Sequence, residues 1–278
     1  MIIIEESIKL DIKQGKLTKK LPVFYNPVMK LNRDVSILLL NSIENIEMQM
    51  ALPLSGSGIR GIRFLKELKK NKIKNILFND IKTIKNIEDN LKLNELNDDE
   101  RIKLFNDDAN LFLLNSKGFD YIDIDPFGTP NPFLDNSMVR LSRGGILGVT
   151  ATDTAALAGS SSIACMRKYY AKPLRNEFMH ETAVRILIRK IQLIGAQNDK
   201  ALIPIFTFSK DHYYRIFFKC EKGKKRVDKI LENHKYVLYD KKTSKRSISE
   251  FNYKKGYEYT GPLWVGELWD EKLVKLMY

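Results

Sequence analysis

"ALIPIFTFSKDHYYRIFFKC", residues 201–220, holds two runs of aliphatic and aromatic residues with little more than "KDH" between them. Each run has the composition of a strand. A link that short joins only antiparallel neighbours, because a parallel crossover needs a dozen residues or more. The stretch therefore predicts an antiparallel hairpin. What precedes it has a different rhythm. From about residue 49, short apolar runs alternate with longer amphipathic stretches, as in βαβ units and a parallel sheet. "MQMALPLS" (48–55), "IKNILFND" (73–80), "RIKLFNDDA" (101–109), "FDYIDID" (119–125) and "GGILGVTAT" (144–152) read as five strands. Between them, "GIRGIRFLKELKKN" and "IKTIKNIEDNLKLNEL" place Ile59, Ile62, Phe64, Leu65 and Leu68, then Ile81, Ile84, Ile87 and Leu91, at helical spacing. "EFMHETAVRILIRKIQLIGAQ" (177–197) predicts a long helix before the hairpin.

Five parallel strands completed by an antiparallel hairpin is the order expected of a class I S-adenosylmethionine-dependent methyltransferase. A nicotinamide-binding Rossmann domain would add a sixth parallel strand instead. The fold class is thus read as α/β, a Rossmann-like mixed seven-stranded sheet with helices on both faces. Residues 1–222 form the catalytic part, with an N-terminal extension over 1–48. A linker is expected near 222–232, and 223–278 is a basic C-terminal segment.

With 47 Lys and Arg against 34 Asp and Glu, the chain carries a formal net charge of +13. A field of that sign attracts polyanions, nucleic acid first among them. "KCEKGKKRVDK", "YDKKTSKRS" and "YKKGYEY" mix cations with tyrosines late in the chain, as a phosphate-contacting surface with stacking rings would. No apolar run approaches the roughly 20 residues of a membrane helix, and "MIIIEESIKL" does not read as a secretory signal, so no membrane partner and a cytoplasmic location are expected. The two cysteines, Cys165 and Cys220, have no metal-ligand spacing around them and read as free thiols in a reducing compartment, with no metal expected.

In an open α/β sheet, ligands bind beyond the carboxyl ends of the strands. The first strand ends in "LSGSGIRG", where Gly56 and Gly58 let backbone approach a ligand; a plain tight turn fits the same residues. Asp80, at the end of the second strand, stands where ribose hydroxyls are caught, and equally where a carboxylate would cap the helix starting at Ile81. Asp107 or Asp108 follows the third strand, suited to an adenine amino group or again to a cap. The fourth strand ends in Asp125, Pro126 and Phe127. An acid followed by proline and an aromatic suits methylation of an exocyclic base amine, whose lone pair is delocalised into the ring. The Asp125 carboxylate and the Pro126 carbonyl would accept the amine hydrogens, and Phe127 would stack the base. Asp123, two residues earlier on the same strand face, reads as structural. His212 is read as a turn histidine, and His180 and His234 have no chemical spacing.

The blocks "LPVFYNPVMKLNRDVS" (21–36), "LSGSGIRGIRF", "NDI", "DIDPFGTPNPFLD", "GGILGVTATDTAALAG", "MRKYYAKPLRNEFMHETAVRILI", "DHYYRIFF" and "GPLWVGELWD" together resemble the tRNA (guanine-26-N2) dimethyltransferase family of archaeal and eukaryotic type. The match runs from about residue 5 onward. The resemblance implies transfer of one or two methyl groups from S-adenosyl-L-methionine to the N2 amine of guanine 26 in tRNA. By the family's motifs, Asp125 is the catalytic acceptor, and Phe127 and Phe24 are the two faces of a base sandwich. Arg33, Ser57, Gly58, Arg60, Asp80, Ile81, Asp108 and Ala109 match cofactor-site positions. Thr152 and Asp153 fall in the family's "TATDTA" block. Two departures stand out: Leu52 occupies a position where the family usually has an acid, and the sequence stops soon after "GPLWVGELWD", where members continue. The resemblance therefore implies that 223–278 is part of a truncated tRNA-binding domain. A non-catalytic tRNA-binding or chaperone module that retains the fold is the alternative; the intact Asp125-Pro126-Phe127 set argues against it.

Overall fold

The computed structural model describes residues 26–278. A 3-10 turn, Pro27–Met29, leads into α1 (Lys30–Ser42). Then come β1 (Met48–Leu52), α2 (Ile59–Glu67), β2 (Ile73–Asn79), α3 (Ile84–Leu93), β3 (Ile102–Phe105), α4 (Ala109–Asn115) and β4 (Phe119–Ile124). After these follow α5 (Asn131–Arg140), β5 (Leu141–Ala151), α6 (Thr154–Leu157), α7 (Ser162–Tyr169), α8 (Met179–Ala196), β6 (Lys200–Lys210) and β7 (Tyr213–Lys222). The remainder is α9 (Lys224–Leu231), β8 (His234–Tyr239), β9 (Arg246–Ser249), β10 (Glu258–Trp264) and α10 (Glu271–Met277). Hydrogen-bonded strand order in the seven-stranded sheet is β3-β2-β1-β4-β5-β7-β6, and a second sheet has the order β10-β8-β9. The mixed α/β sheet expected from the sequence is the one observed.

The chain divides into two compact units, and both are discontinuous in sequence. The first comprises, among the described residues, 26–124, 140–142 and 272–278; the second comprises Asp125–Val139 and Arg143–Glu271.

In the first unit, β1, β2, β3 and β4 pair in parallel, with Ala51 beside Leu77 on one side and Ile122 on the other. Such strands, covered on both faces, are built from continuous apolar runs. Met48, Met50, Ile76, Phe78, Ile122 and Ile124 are accordingly fully buried. Phe64 of α2 meets Tyr121 of β4 edge-on, with ring centroids 5.7 Å apart, and Phe112 of α4 stacks on Phe119 at 6.1 Å. Helix α3 begins three residues later than the Ile81 read from periodicity. The Asp80 carboxylate accepts the N–H groups of Lys82 and Thr83, which makes residues 80–83 a side-chain-closed turn before the helix.

In the second unit, β7 pairs antiparallel with both β5 and β6, and only Asp211 and His212 separate β6 from β7. This is the hairpin that residues 201–220 predict. Pro204 lies on β6, the last strand of the order, beside a shift in register; a residue without an N–H is tolerated at such an edge. Helix α8 turns Val184, Leu187, Ile188 and Ile191 inward, each burial being worth about 1.5–3 kcal/mol. The expected linker near 222–232 is instead the helix α9. Its Val227 and Ile230, three residues apart, are both buried, which gives a lysine-rich stretch an apolar edge to fold on.

Candidate active site

The first unit gathers the carboxyl ends of β1, β2 and β3 through one residue that sequence reading passed over. Asn79 ends β2 and is fully buried. Its Nδ2 donates to the Pro53 and Asp107 carbonyls at 3.0 Å each, and its Oδ1 accepts from the Asp107 N–H at 3.0 Å. The backbone of Asn79 also exchanges bonds with Ser55. One amide thus holds the loop after β1 against the loop after β3. A buried amide so satisfied gives a fixed geometry.

The glycine loop that follows β1 is held from below by carboxylate and amide groups. Asp80 Oδ2 accepts from the Gly56 N–H at 2.9 Å, Thr83 Oγ1 donates to the Gly56 carbonyl at 2.6 Å, and Asn90 Nδ2 donates to the Ser57 carbonyl at 2.9 Å. Gly58 precedes α2 with φ of +76°, and a Cβ there would lie 3.0 Å from Ile87, so only glycine fits both the backbone and the packing. Asp80 is therefore part of the loop's support. Its three accepted bonds leave one of about four lone-pair positions on the carboxylate open, on Oδ2. Ser57 Oγ is buried and has no hydrogen-bond partner. Asp108 caps α4: its Oδ1 accepts from Asn110 and Leu111, while Oδ2 takes no part in the cap. Ala109 is the first, buried residue of that helix, and Ile81 is 61% exposed.

Arg60 runs inward from α2. Its Nη1 donates to Ser36 Oγ at 3.0 Å, its Nη2 donates to Asn32 Oδ1 at 2.9 Å, and its Nε lies 3.4 Å from Asp123 Oδ1. Asp123 also accepts from the Tyr121 hydroxyl. These contacts fit the structural reading of Asp123, and Arg60 is a cation it faces. Arg33, also buried, donates from Nη1 to the Asn26 carbonyl at 3.2 Å. Phe24 lies outside the described residues.

Asp125, Pro126 and Phe127 belong to the second unit, directly after Ile124. Asp125 and Pro126 are half-buried, and Phe127 is 41% exposed. The turn they enter closes on Gly128, whose φ of +82° suits glycine. Thr152 grips that glycine from both sides, its Oγ1 accepting from the Gly128 N–H at 2.6 Å and its N–H donating to the Gly128 carbonyl at 2.9 Å. Next along, Asp153 accepts from the Tyr169 hydroxyl at 2.7 Å and pairs with Lys168 at 3.2 Å. Burial, with the Asp153 charge adding to it, holds the Tyr169 hydroxyl far above the usual phenol range and pushes the Cys165 thiol up to about 12. Neither is a nucleophile near neutral pH. The only sequence signal for Thr152 and Asp153 was their place in the "TATDTA" block. His180 contacts the Tyr214 hydroxyl through Nδ1 at 3.1 Å, and His212 sits in the exposed hairpin turn. Among the described residues no cluster of His, Cys, Asp or Glu could hold a metal, and no helix is long and apolar enough to cross a membrane.

Known proteins resemble this chain in sequence and fold. Residues 4–278 match the model of the N2,N2-dimethylguanosine tRNA methyltransferase family. A tRNA (guanine(26)-N(2)/guanine(27)-N(2))-dimethyltransferase of Aquifex aeolicus is 42% identical over 94% of this chain and 70% of its own length. The tRNA (guanine(26)-N(2))-dimethyltransferase of Methanocaldococcus jannaschii is 40% identical over 99% and 75%. Among solved structures, the complex of Trm1 from Pyrococcus horikoshii with S-adenosyl-L-methionine is 38% identical and superposes with a TM-score of 0.82 over 94% of this chain and 73% of that one. Fold, cofactor class and enzyme class agree with what the motifs implied: the chain belongs to the N2,N2-dimethylguanosine tRNA methyltransferase family.

Proposed function

We propose that this chain transfers one or two methyl groups from S-adenosyl-L-methionine to the exocyclic N2 amine of guanine 26 in tRNA. The observation that carries the proposal is the Asp125-Pro126-Phe127-Gly128 turn locked at Gly128 by Thr152. The cofactor supplies an electrophilic methyl group on a positively charged sulfur. The residues of the first unit suit such a ligand: the buried hydroxyl of Ser57 lacks a partner, and the remaining lone pair of Asp80 and the uncapped oxygen of Asp108 stay open to accept from one. In this reading Asp80 holds ribose hydroxyls, Asp108 and the Ala109 N–H meet the adenine edge, and Ile81 covers its face. Ser57, Gly58, Arg33 and Arg60 line the remainder.

The Asp125 carboxylate and the Pro126 carbonyl accept the two amine hydrogens of guanine. This opposes delocalisation of the nitrogen lone pair into the ring and leaves Asp125 as the proton's first acceptor when the nitrogen gains its methyl group. Phe127 stacks the base that has left the tRNA helix, and the resemblance assigns the opposite face to Phe24. Stacking worth about 1–3 kcal/mol per base offsets much of the few kcal/mol that unstacking costs. An enzyme of this kind acts in the cytoplasm, where the free thiols of Cys165 and Cys220 stay reduced.

The test is to incubate the chain with unmodified tRNA and labelled S-adenosyl-L-methionine, then digest the tRNA and map methylated guanine by mass. Methyl groups on N2 of guanine 26, abolished by Asp125→Ala with cofactor affinity unchanged, are expected. An Asp125→Ala enzyme that methylates at the parent rate refutes the assignment.

A further inference from the structure

A second site lies in the second unit, away from the Asp125 turn in sequence. A cleft of about 510 Å³ opens between the segment 172–176 and the small sheet, lined by Lys172, Arg175, Asn176, Tyr239, Lys241 and Glu258. Its two walls are stitched together. The Lys172 N–H donates to the Gly261 carbonyl at 2.8 Å, the Gly261 N–H donates back to the Lys172 carbonyl at 2.9 Å, and Thr260 Oγ1 adds a third bond to that carbonyl at 2.8 Å. The cleft is therefore formed in advance of any ligand.

The residues lining it select for an anion. Glu258 is already occupied by Lys241 at 2.7 Å, which leaves the charges of Lys172 and Arg175 without a carboxylate among the described residues. The Lys172 ammonium lies 4.2 Å from the centre of the Tyr259 ring, a contact that orients the cation without neutralising it. Asn176 supplies the most specific feature. Its Oδ1 accepts from the Phe178 N–H at 3.0 Å, which fixes the orientation of the amide, and its Nδ2 is buried with no hydrogen-bond partner. A buried donor without an acceptor is costly, and in a cleft with two free cations the missing acceptor is an anionic oxygen. A liquid water occupies about 30 Å³, so the space is wide enough for a phosphodiester with its sugar. Rings and cations further along the same sheet favour a polymer over an isolated phosphate. Beyond β9 lie Phe251 and Tyr253, 75% and 77% exposed, and Lys254, whose ammonium is 4.1 Å from the Tyr257 ring; Arg246 of β9 stacks on Phe178 at 3.6 Å. Exposed rings interleaved with cations are what a nucleic-acid strand stacks on.

We infer that the Lys172-Arg175-Asn176 cleft grips a backbone phosphate of the tRNA substrate, with the Asn176 amide as the oriented donor. The inference rests on the tRNA reading above and names where the polyanion is held.

The test measures tRNA binding across a salt series for the parent chain, for Lys172→Gln/Arg175→Gln and for Asn176→Asp. The last keeps the oxygen that Phe178 needs and exchanges the buried donor for a carboxylate oxygen. The double variant is expected to bind tRNA at least tenfold more weakly at low salt, with the slope of log Kd against log salt reduced by about 1. Asn176→Asp should weaken binding at least fivefold, while melting temperature and S-adenosyl-L-methionine affinity stay at parent values in both. Unchanged tRNA affinity and slope in both variants would overturn the inference, as would inorganic phosphate that protects Lys172 from acylation and is not displaced by tRNA. Methyl transfer by the parent chain is scored separately: its failure would remove the proposed reaction, whereas its success with unaffected variants would remove only the phosphate grip.

Discussion

Replacing Asp123 by asparagine isolates the physical cost of the buried charge on β4, two residues before the proposed catalytic acid in sequence. Two donors meet Asp123 on different oxygens, among its contacts: Arg60 Nε lies 3.4 Å from Oδ1, and the Tyr121 hydroxyl donates to Oδ2. The side chains of Arg60 and Asp123 are 10% and 2% exposed, so water reaches neither well. Asparagine is nearly isosteric but offers one accepting oxygen. If that oxygen stays with Tyr121, the amide NH2 meets the guanidinium and the ion pair with Asp123 is lost, at up to about 3–5 kcal/mol. If it turns to Arg60, the fully buried Tyr121 hydroxyl loses its bond to residue 123, at up to about 1–3 kcal/mol. The cheaper arrangement prevails, and the ion pair becomes a charge–dipole contact in either case. We expect a loss of about 2–4 kcal/mol, or a fall in Tm of roughly 3–7 °C for a chain of this size. Thermal unfolding of Tyr121→Phe, Asp123→Asn and the double variant measures this as a cycle. Tyr121→Phe should cost at least about 1 kcal/mol less when Asp123→Asn is already present, because the Tyr121 hydroxyl then no longer competes with Arg60 for the single oxygen. A Tm within about 1 °C of the parent for Asp123→Asn, or single effects that simply add, would refute the reasoning.

Two more outcomes are expected from contacts in the second unit. Thr152→Val keeps the shape of the side chain and deletes the oxygen that accepts from Gly128, so single-turnover methyl transfer should slow by about tenfold or more through misplacement of the turn, with cofactor affinity unchanged and Thr152→Ser restoring the rate. His234 is held at a pKa of about 4 by burial, with the Arg189 charge lowering it further, and its Nε2 meets Gln192 Oε1 at 2.8 Å. A group whose folded pKa lies below its unfolded value of about 6.5 contributes stability that is present above about pH 6.5 and is lost as pH falls toward about 4. Urea unfolding between about pH 7 and pH 4 should show a loss approaching about 3 kcal/mol that His234→Gln reduces; equal pH slopes in the two proteins would contradict it.

The parts of the fold visible in the sequence are those with a period. Alternating apolar runs and helical faces located β1 to β5 and α8, and the short link at Asp211 and His212 determined the antiparallel pairing. The features that escaped detection lack any period. Asn79 looks like a residue of a turn, yet buried at a strand end its amide joins two loops. Lys72 and Lys200 read as surface charge but are each 5% exposed, with their ammonium groups on backbone carbonyls. The α9 region reads as a linker because five of its eight residues are charged, and only Val227, Ile230 and Leu231 hint otherwise. At the candidate site, Asp80 and Asp108 each admitted a capping role and a ligand role. The structure displays the local hydrogen bonds of both and leaves over one lone pair on Asp80 Oδ2 and the Oδ2 of Asp108, so the two roles are compatible.

Residues 272–278 belong with the parallel strands of the first unit, where the Ser42 hydroxyl donates to the Leu276 carbonyl, and Leu273 is buried. During synthesis, that unit must wait for its last helix until the whole of the second has left the ribosome. Pairings so distant in sequence slow folding, because the loop between them has to be closed before any contact repays it. Neither unit can be excised by a single cut, and a nascent chain paused before residue 272 would present an unsealed apolar seat to chaperones.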